Sequence, residues 1–380
     1  MTAKIILVFG TRPEAIKMAP LYHALKQCEN EFTTLVCVTA QHREMLDQVL
    51  TVFDIQPDID LNLMKKGQDL FDITSSVLLG MRDVFLKQRP DLVLVHGDTT
   101  TSSAASIAGF YAGVPVGHVE AGLRTHNIRS PFPEEFNRRV TSILADLHFA
   151  PTEIARKNLL AEGVDDSRVF VTGNTIIDAM HWVLNRIDTD HDRRLSVIGF
   201  LNEKLGFNWL DRRYVLITGH RRENFGEGFL SIAQALCVLA NRYPQVAFVY
   251  PVHLNPNVQA PILSVLSGVP NVHLIAPMEY EPFLYLLKHC HIVLTDSGGI
   301  QEEAPTLCKP VVVMRDTTER PEGVLAGTVR LVGAGRDKIV SVMCELLDNE
   351  HEYNKMALAH NPYGYGSACA AILDAIRTRL

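Results

Sequence analysis

The sequence has no apolar stretch near the ~18 residues that a membrane-spanning helix needs, which argues against a helical span. It has no surplus of positive charge either. Its 36 Lys and Arg face 43 Asp and Glu, for a net charge of −7 and a pI of about 6.1. A basic footprint for nucleic acid or an anionic membrane is therefore missing, and any anionic ligand must be held by local charge. Paired cysteines are absent. Seven are scattered at positions 28, 37, 237, 290, 308, 344 and 369, with no C-x-x-C and no cluster with histidine. They read as reduced, mostly buried thiols, and the opening "MTAKIILVFGTRPEA" is too short in its apolar run for a signal peptide, so a cytoplasmic location is expected.

Several catalytic signatures are missing as well. Walker A spacing, H-E-x-x-H and G-x-S-x-G do not occur, and the 15 histidines show no tight metal pattern. "GEGFLS" (226–231) lacks the third glycine of a dinucleotide fingerprint and follows "HRREN" instead of a strand, which rejects nicotinamide binding. No low-complexity segment or short repeat is present.

What the chain does contain is rhythm. Apolar runs rich in Val, Ile and Leu fall at 4–10, 34–39, 91–97, 114–120, 146–150 and 168–173, then again at 214–219, 246–251, 271–276, 291–295, 310–314 and 328–333. Continuous apolar strands alternating with helical patterns predict parallel sheets covered on both faces. In "REMLDQVLTVF" (43–53), Met45, Leu46, Val49, Leu50 and Phe53 share one expected helical face. In "PTEIARKNLLAEG" (151–163), Thr152 is the expected N-cap and Gly163 the stop. The fold class is α/β, with two Rossmann-like, doubly wound domains expected at 1–175 and 176–366. The linker is placed between about 174 and 210, and 367–380 forms a further amphipathic helix whose docking the sequence does not fix.

In open parallel sheets, ligands bind beyond the carboxyl ends of the strands. Here those ends carry Thr11-Arg12, Gln41-His42, Asp98, Glu120, His220, His253 and Asp296-Ser297. If the two domains face each other, these edges line one cleft. Arg12 and Lys17 in "FGTRPEAIKMAPL" read either as solvated charges on a capped helix or as anion ligands beside its mouth. Asp98 reads as an N-cap or a functional acid, and Glu134 in "SPFPEEFNRR" as an ordinary first-turn acid or a functional one. Glu120 ends a wholly apolar strand, where a carboxylate is unfavourable unless paired or functional.

"LTDSGGIQEEAP" (294–305) combines two signals. Ser297, Gly298 and Gly299 offer backbone amides at a helix mouth, which suits a diphosphate. Glu303, one turn deeper, suits a vicinal diol such as ribose. With Phe283 available to stack on a base, the three describe a nucleoside diphosphate.

At this point "VFGTRPEAIKMAPL", "TAQHREMLDQVL", "HGDTTT", "GHVEAGLRT", "PEEFNRR", "TGHRRENFG", "TDSGGIQEEAP" and "RDTTERPE", in this order, resemble the bacterial non-hydrolysing UDP-N-acetylglucosamine 2-epimerases. That family resembles glycosyltransferases of the two-Rossmann-domain (GT-B) fold. The resemblance implies reversible conversion of UDP-N-acetylglucosamine to UDP-N-acetylmannosamine, by elimination of UDP to a 2-acetamidoglucal and re-addition. No nicotinamide and no obligatory metal are needed. It assigns Asp98, Glu120 and Glu134 as catalytic acids and His220 as a histidine near the phosphates. Arg12, Lys17, Phe283, Ser297, Gly298, Gly299, Glu303 and Arg320 become nucleotide contacts. Met278 departs from the family pattern, which has Gln before "EY", and this bears on uracil recognition only if the side chain does the reading. A second, activating UDP-N-acetylglucosamine site is implied at Gln41, Gln68 and Arg221, and a homodimer is the family's habit.

Four other readings stay open on the sequence alone: a GT-B glycosyltransferase, the hydrolysing branch of the family, a non-catalytic nucleotide-sugar sensor, and a 2-epimerase of a diacetamido-uronic UDP-sugar. Three candidate carboxylates exceed what a transferase usually needs.

Overall fold

A computed structural model describes every residue except 1, 40–42, 64, 66 and 380. The chain divides into two compact units: unit 1 comprises 1–182 together with 363–380, and unit 2 comprises 183–362.

Unit 1 is built on seven parallel strands: β1 (Ala3–Phe9), β2 (Phe32–Val38), β3 (Ile59–Asp60), β4 (Leu92–His96), β5 (Val116–Val119), β6 (Leu147–Ala150) and β7 (Val169–Val171). They lie in the order β3-β2-β1-β4-β5-β6-β7. Six coincide with the apolar runs. The seventh, two-residue β3 at the sheet edge, has no alternation or run to announce it. Ile5 to Phe9 and Leu92 to Val95 are almost wholly buried, as continuous Val/Ile/Leu runs require when helices cover both faces.

The helix Arg43–Val52 follows the expected period, with Leu46, Val49 and Leu50 buried and Phe53 closing the seam. Met45 departs from it and is 45% exposed. It stands one residue, about 100°, around the helix from Leu46, outside the stripe that meets the core. The helix Glu153–Ala161 is capped as expected: the Thr152 hydroxyl accepts from the Ala155 N–H at 3.1 Å, and Gly163 stands at φ 87°. The helix Ala368–Arg377 returns to unit 1, where it packs on the helix Arg12–Lys26. Arg377 Nε donates to Glu31 at 2.8 Å, and Asp178 accepts from the backbone N–H groups of Ala368 and Cys369 at 3.2 and 3.0 Å.

Unit 2 carries six parallel strands: β8 (Tyr214–Thr218), β9 (Ala247–Pro251), β10 (Val272–Ile275), β11 (Ile292–Thr295), β12 (Val311–Val313) and β13 (Val329–Leu331), in the order β10-β9-β8-β11-β12-β13. All six match predicted runs. The polar stretch 185–196 is helical for most of its length, ending the helix Thr175–Thr189 and opening His191–Leu205, whose first turn is capped by Asp190.

In each sheet, strand order reverses between two central strands, β1/β4 in unit 1 and β8/β11 in unit 2. Connections leave such a pair in opposite directions, which opens a crevice at its carboxyl end. The sequence places Gly10-Thr11-Arg12 and Gly97-Asp98 at the first reversal, and Gly219-His220 and Asp296-Ser297 at the second.

Candidate active site

In unit 1, the turn after β1 is locked by a residue whose role the sequence did not disclose. Glu14, 1% exposed, accepts from the backbone N–H groups of Gly10 and Thr11 at 3.0 and 2.8 Å. Its other oxygen accepts from the hydroxyls of Thr99 and Ser102 at 2.6 and 3.0 Å. One carboxylate thus ties the β1 turn, which carries Arg12, to the β4 turn, which carries Asp98. Gly10 has no room for a side chain there, since a Cβ would lie 2.1 Å from Thr39 Oγ1.

Glu120 follows β5 directly and adopts φ 63°, the left-handed region that a non-glycine residue enters at a strain of roughly 1–2 kcal/mol. That backbone turn aims its carboxylate inward, with a side chain only 10% exposed. Oε2 pairs with Lys17 Nζ, accepts from Asn174 Nδ2 at 3.2 Å, and stands 3.7 Å from His96 Nε2. Burial alone would raise its carboxyl pKa. Lys17 above all, and His96 whenever it carries a proton, outweigh burial and hold it well below the usual carboxylate range.

Asp98 accepts from Arg138 Nη2 at 2.6 Å, and its carbonyl accepts from Asn137 Nδ2 at 2.9 Å. Arg138 also reaches Glu135 at 3.2 Å, and Glu135, fully buried, holds the Thr125 and His126 N–H groups at 3.0 and 3.2 Å. In "PEEFNRR", therefore, Glu135, Asn137 and Arg138 tie the helix Glu134–Leu144 to the Asp98 turn. Glu134 heads that helix, and its buried Oε2 has no hydrogen-bond partner among the described residues. Gly97 lies close to Glu120, since a Cβ there would be 3.8 Å from Glu120 Oε1. Asp98, Glu120 and Glu134 are thus gathered on connected turns at one edge of the sheet, alongside Arg12 and Lys17.

In unit 2, Asp296 is fully buried behind the turn after β8. Its carboxylate accepts from the backbone N–H groups of His220 and Arg221, each at 2.9 Å, and lies 3.2 Å from His220 Nδ1. Burial raises its pKa, but the hydrogen bonds from His220 and the Arg221 amide prevail and leave it lowered. The pair fixes the imidazole while its side chain stays 43% exposed, so one ring nitrogen is oriented for a ligand.

The expectation of bare amides at Ser297-Gly298-Gly299 needs one correction. The Ser297 N–H already donates to the Thr295 hydroxyl at 2.9 Å. A threonine two residues back in the strand satisfies it locally, as such hydroxyls commonly do. Gly298 serves another purpose. A Cβ there would lie 2.6 Å from Arg320 Nη1, so the missing side chain lets the guanidinium lie against the turn. Glu302 holds that guanidinium through Nε at 2.5 Å. The mouth of the helix Ile300–Thr306 thus carries a cation fixed by a buried carboxylate, an arrangement suited to phosphate oxygens. It also answers why acids sit in that turn: Glu302 orients Arg320.

Glu303, 6% exposed, accepts from the Tyr280 hydroxyl at 2.9 Å. Phe283 lies on the same helix as Tyr280, Tyr280–His289, and is half-buried; Met278 is half-buried just before it. Arg315, nearly buried, joins Glu223 at 2.6 Å to Glu319 at 2.8 Å, bracing "HRREN" against "RDTTERPE".

The nominated second-site residues fare differently. Gln41 lies outside the described residues. Gln68 binds its own loop, with Oε1 accepting from Lys65 N–H at 2.7 Å and Nε2 donating to the Leu63 carbonyl at 2.9 Å. Arg221 lies beside His220, its Nε donating to the Asp296 carbonyl at 3.3 Å.

Comparison with known proteins identifies the family and its fold. The UDP-N-acetylglucosamine 2-epimerase family model matches residues 23–377. The UDP-N-acetylglucosamine 2-epimerase of Yersinia pestis is 56% identical over 374 residues, 98% of this chain and 98% of that one. The enzyme of that name from Escherichia coli K12 is likewise 56% identical with the same coverage. The crystal structure of UDP-GlcNAc 2-epimerase from Neisseria meningitidis, bound to UDP-GlcNAc, superposes with a TM-score of 0.89 at 52% identity, covering 99% of this chain and all of that one.

Proposed function

The chain belongs to the UDP-N-acetylglucosamine 2-epimerase family, and from that premise we propose that it interconverts UDP-N-acetylglucosamine and UDP-N-acetylmannosamine by inverting C2. The observation that carries the reading is the set of three carboxylates at the carboxyl edge of the unit 1 sheet, one of them, Glu120, held ionised while buried against Lys17.

C2 of the sugar is not adjacent to a carbonyl, so its proton is barely acidic. Removing it becomes feasible when the C1–O bond to UDP breaks in the same event and the C2–H electron pair forms a C1–C2 double bond. Asp98, Glu120 and Glu134 are the groups we assign to taking and returning that proton. UDP, carrying more charge as it leaves, is the ligand we assign to Ser297, Gly298, Gly299 and Arg320, with His220 at its phosphates. Glu303 takes the ribose diol, Phe283 stacks on uracil, and Met278 borders the base. Arg12 and Lys17 supply further positive charge. Re-addition of UDP after protonation on the opposite face of C2 completes the inversion.

The remaining assignments rest on the same reading. UDP-N-acetylglucosamine acts as its own activator at a site including Gln41, Gln68 and Arg221, so rate against substrate is sigmoidal; a hyperbola over a wide range removes that site. The cytoplasm is the compartment, in keeping with seven free cysteines. The protein is a homodimer. Support comes from an apolar groove of about 440 Å3 lined by Leu78, Leu79, Leu86, Ala108 and Tyr111, with Leu86 70% and Tyr111 75% exposed.

The test is proton NMR with UDP-N-acetylglucosamine in deuterium oxide. A second UDP-sugar bearing deuterium at C2 is the expected product. Free sugar plus UDP would indicate hydrolysis, and no exchange at C2 would overturn the reading.

A further inference from the structure

Among the described residues, Lys17, Asn174 and His96 approach Glu120 Oε2, and two of these cannot accept a proton: the Lys17 ammonium and the Asn174 amide. The third can. His96 ends β4, is 4% exposed, and points Nε2 at Oε2 from 3.7 Å, a separation one small side-chain rotation longer than a hydrogen bond. That Nε2 is buried and, among the described residues, has no hydrogen-bond partner. Buried polar nitrogens left unpaired are rare, and each calls for an explanation. The backbone on either side of this imidazole is held by hydrogen bonds. Its carbonyl accepts from the Ser102 hydroxyl at 2.6 Å, and that hydroxyl is the one shared with Glu14. The neighbouring turn is held at the Gly97 carbonyl, which accepts from His118 Nε2 at 2.8 Å.

We propose that His96 is the proton-holding partner of Glu120, a positioning residue that acts on the sugar only through that carboxylate. The inference rests on the assignment of Glu120 to proton transfer at C2. In the forward direction, Glu120 takes the C2 proton while the C–H electron pair becomes the C1–C2 double bond and the C1–O pair departs with UDP. The proton then passes from the Glu120 carboxyl to His96 Nε2, leaving carboxylate and imidazolium. The reverse transfer returns it when Glu120 serves as the acid. Lys17 disfavours a neutral Glu120, so a carboxyl proton there is poorly kept and a neighbouring base is its natural destination. The surrounding charges are Lys17 and Glu14 from the first helix and Glu120 itself; His118 on the neighbouring strand is titratable but kept neutral by burial.

The experiment compares His96→Gln and Glu120→Gln in the full chain with UDP-N-acetylglucosamine, reading kcat, KM and thermal unfolding. Glutamine keeps a donor near the Nε2 position but cannot carry a proton. Expected for His96→Gln is a kcat loss on the order of 10²–10⁴-fold with KM within about threefold, as for removal of a general acid–base group. His96→Ala regains turnover in added imidazole. If His96→Gln keeps kcat within about threefold while Glu120→Gln is inactive, the proposal falls and the assignment of Glu120 stands. If both variants turn over normally, the assignment of Glu120 falls and takes the proposal with it. Should His96→Gln lose its cooperative melt, folded His96→Ala decides the matter: lost turnover without imidazole rescue overturns the proposal.

Discussion

Lys17 and Glu120 form an ion pair inside unit 1 with side chains only 11% and 10% exposed. They belong to separate elements, the first helix and the residue after β5, so the pair is a tertiary clasp and not a local one. Removing one partner leaves the other's charge buried, at a penalty of about 3–5 kcal/mol. Lys17→Met should therefore lower the melting temperature by roughly 6–20 °C. The double variant Lys17→Met/Glu120→Gln should melt above Lys17→Met, because no unpaired charge remains. A double variant less stable than both singles, by differential scanning calorimetry, would contradict this.

The left-handed backbone of Glu120 makes a second expectation. Glycine adopts that conformation without strain, whereas alanine meets it at about 1 kcal/mol or more. Glu120→Gly should thus be about 1 kcal/mol more stable than Glu120→Ala, reversing the usual order. Urea unfolding of the two variants checks it, and a more stable alanine variant would remove strain from the description.

For the nucleotide, Gly298→Ala forces the Arg320 guanidinium off its turn, since the new Cβ would lie 2.6 Å from Nη1. Loss of one charge-assisted bond is worth about 1.5–3 kcal/mol, so UDP affinity by titration calorimetry should drop roughly 10–100-fold in this variant. Glu303→Ala should fall in the same range. Unchanged affinity in Glu303→Ala would dissociate that carboxylate from the ribose.

Acid sensitivity follows from two buried histidines. Burial pushes His118 down to about 3 and His148 down to about 4. Both lie below the unfolded value of about 6.5. The unfolded chain therefore binds more protons between these limits, and stability falls as pH drops from about 6.5 toward 4. The urea midpoint should decline between pH 7 and pH 5, before most carboxylates titrate. His148→Leu should flatten part of that decline; an unaltered slope would acquit His148.

The apolar groove on unit 1 gives the last expectation. Leu86→Asp, placing a charge on an exposed apolar residue of the groove lining, should convert a dimer to a monomer in light scattering. A wild-type monomer would sink the dimer reading at once.

Much of this was legible because buried parallel strands leave long apolar runs, and a polar residue ending such a run stands out. Asp98, Glu120, His220 and Asp296 were found that way. The two-residue β3 left no such trace. Nor did the positioning groups. Asn174 reaches Glu120 across 54 residues and Tyr280 reaches Glu303 across 23, so only folding reveals either partner. "PEEFNRR" was ambiguous for a different reason: first-turn acids are common on any helix, yet Glu135 is an interior brace while its neighbour Glu134 has one buried oxygen with no hydrogen-bond partner among the described residues.

The return of the final helix to unit 1 has a consequence for how the protein is made. Unit 1 starts to emerge from the ribosome before unit 2 and is completed after it, because Ala368–Arg377 follows the whole of unit 2. At about 5–20 residues per second, its seven-stranded sheet waits on the order of ten seconds or more with the docking face of the first helix uncovered and the Asp178 carboxylate lacking the N–H groups of Ala368 and Cys369. Unit 2, an uninterrupted segment, has no such delay. The domain that carries the carboxylates is therefore the one most exposed to chaperones and proteases during synthesis, and the helix Ala368–Arg377 is what releases it from that risk.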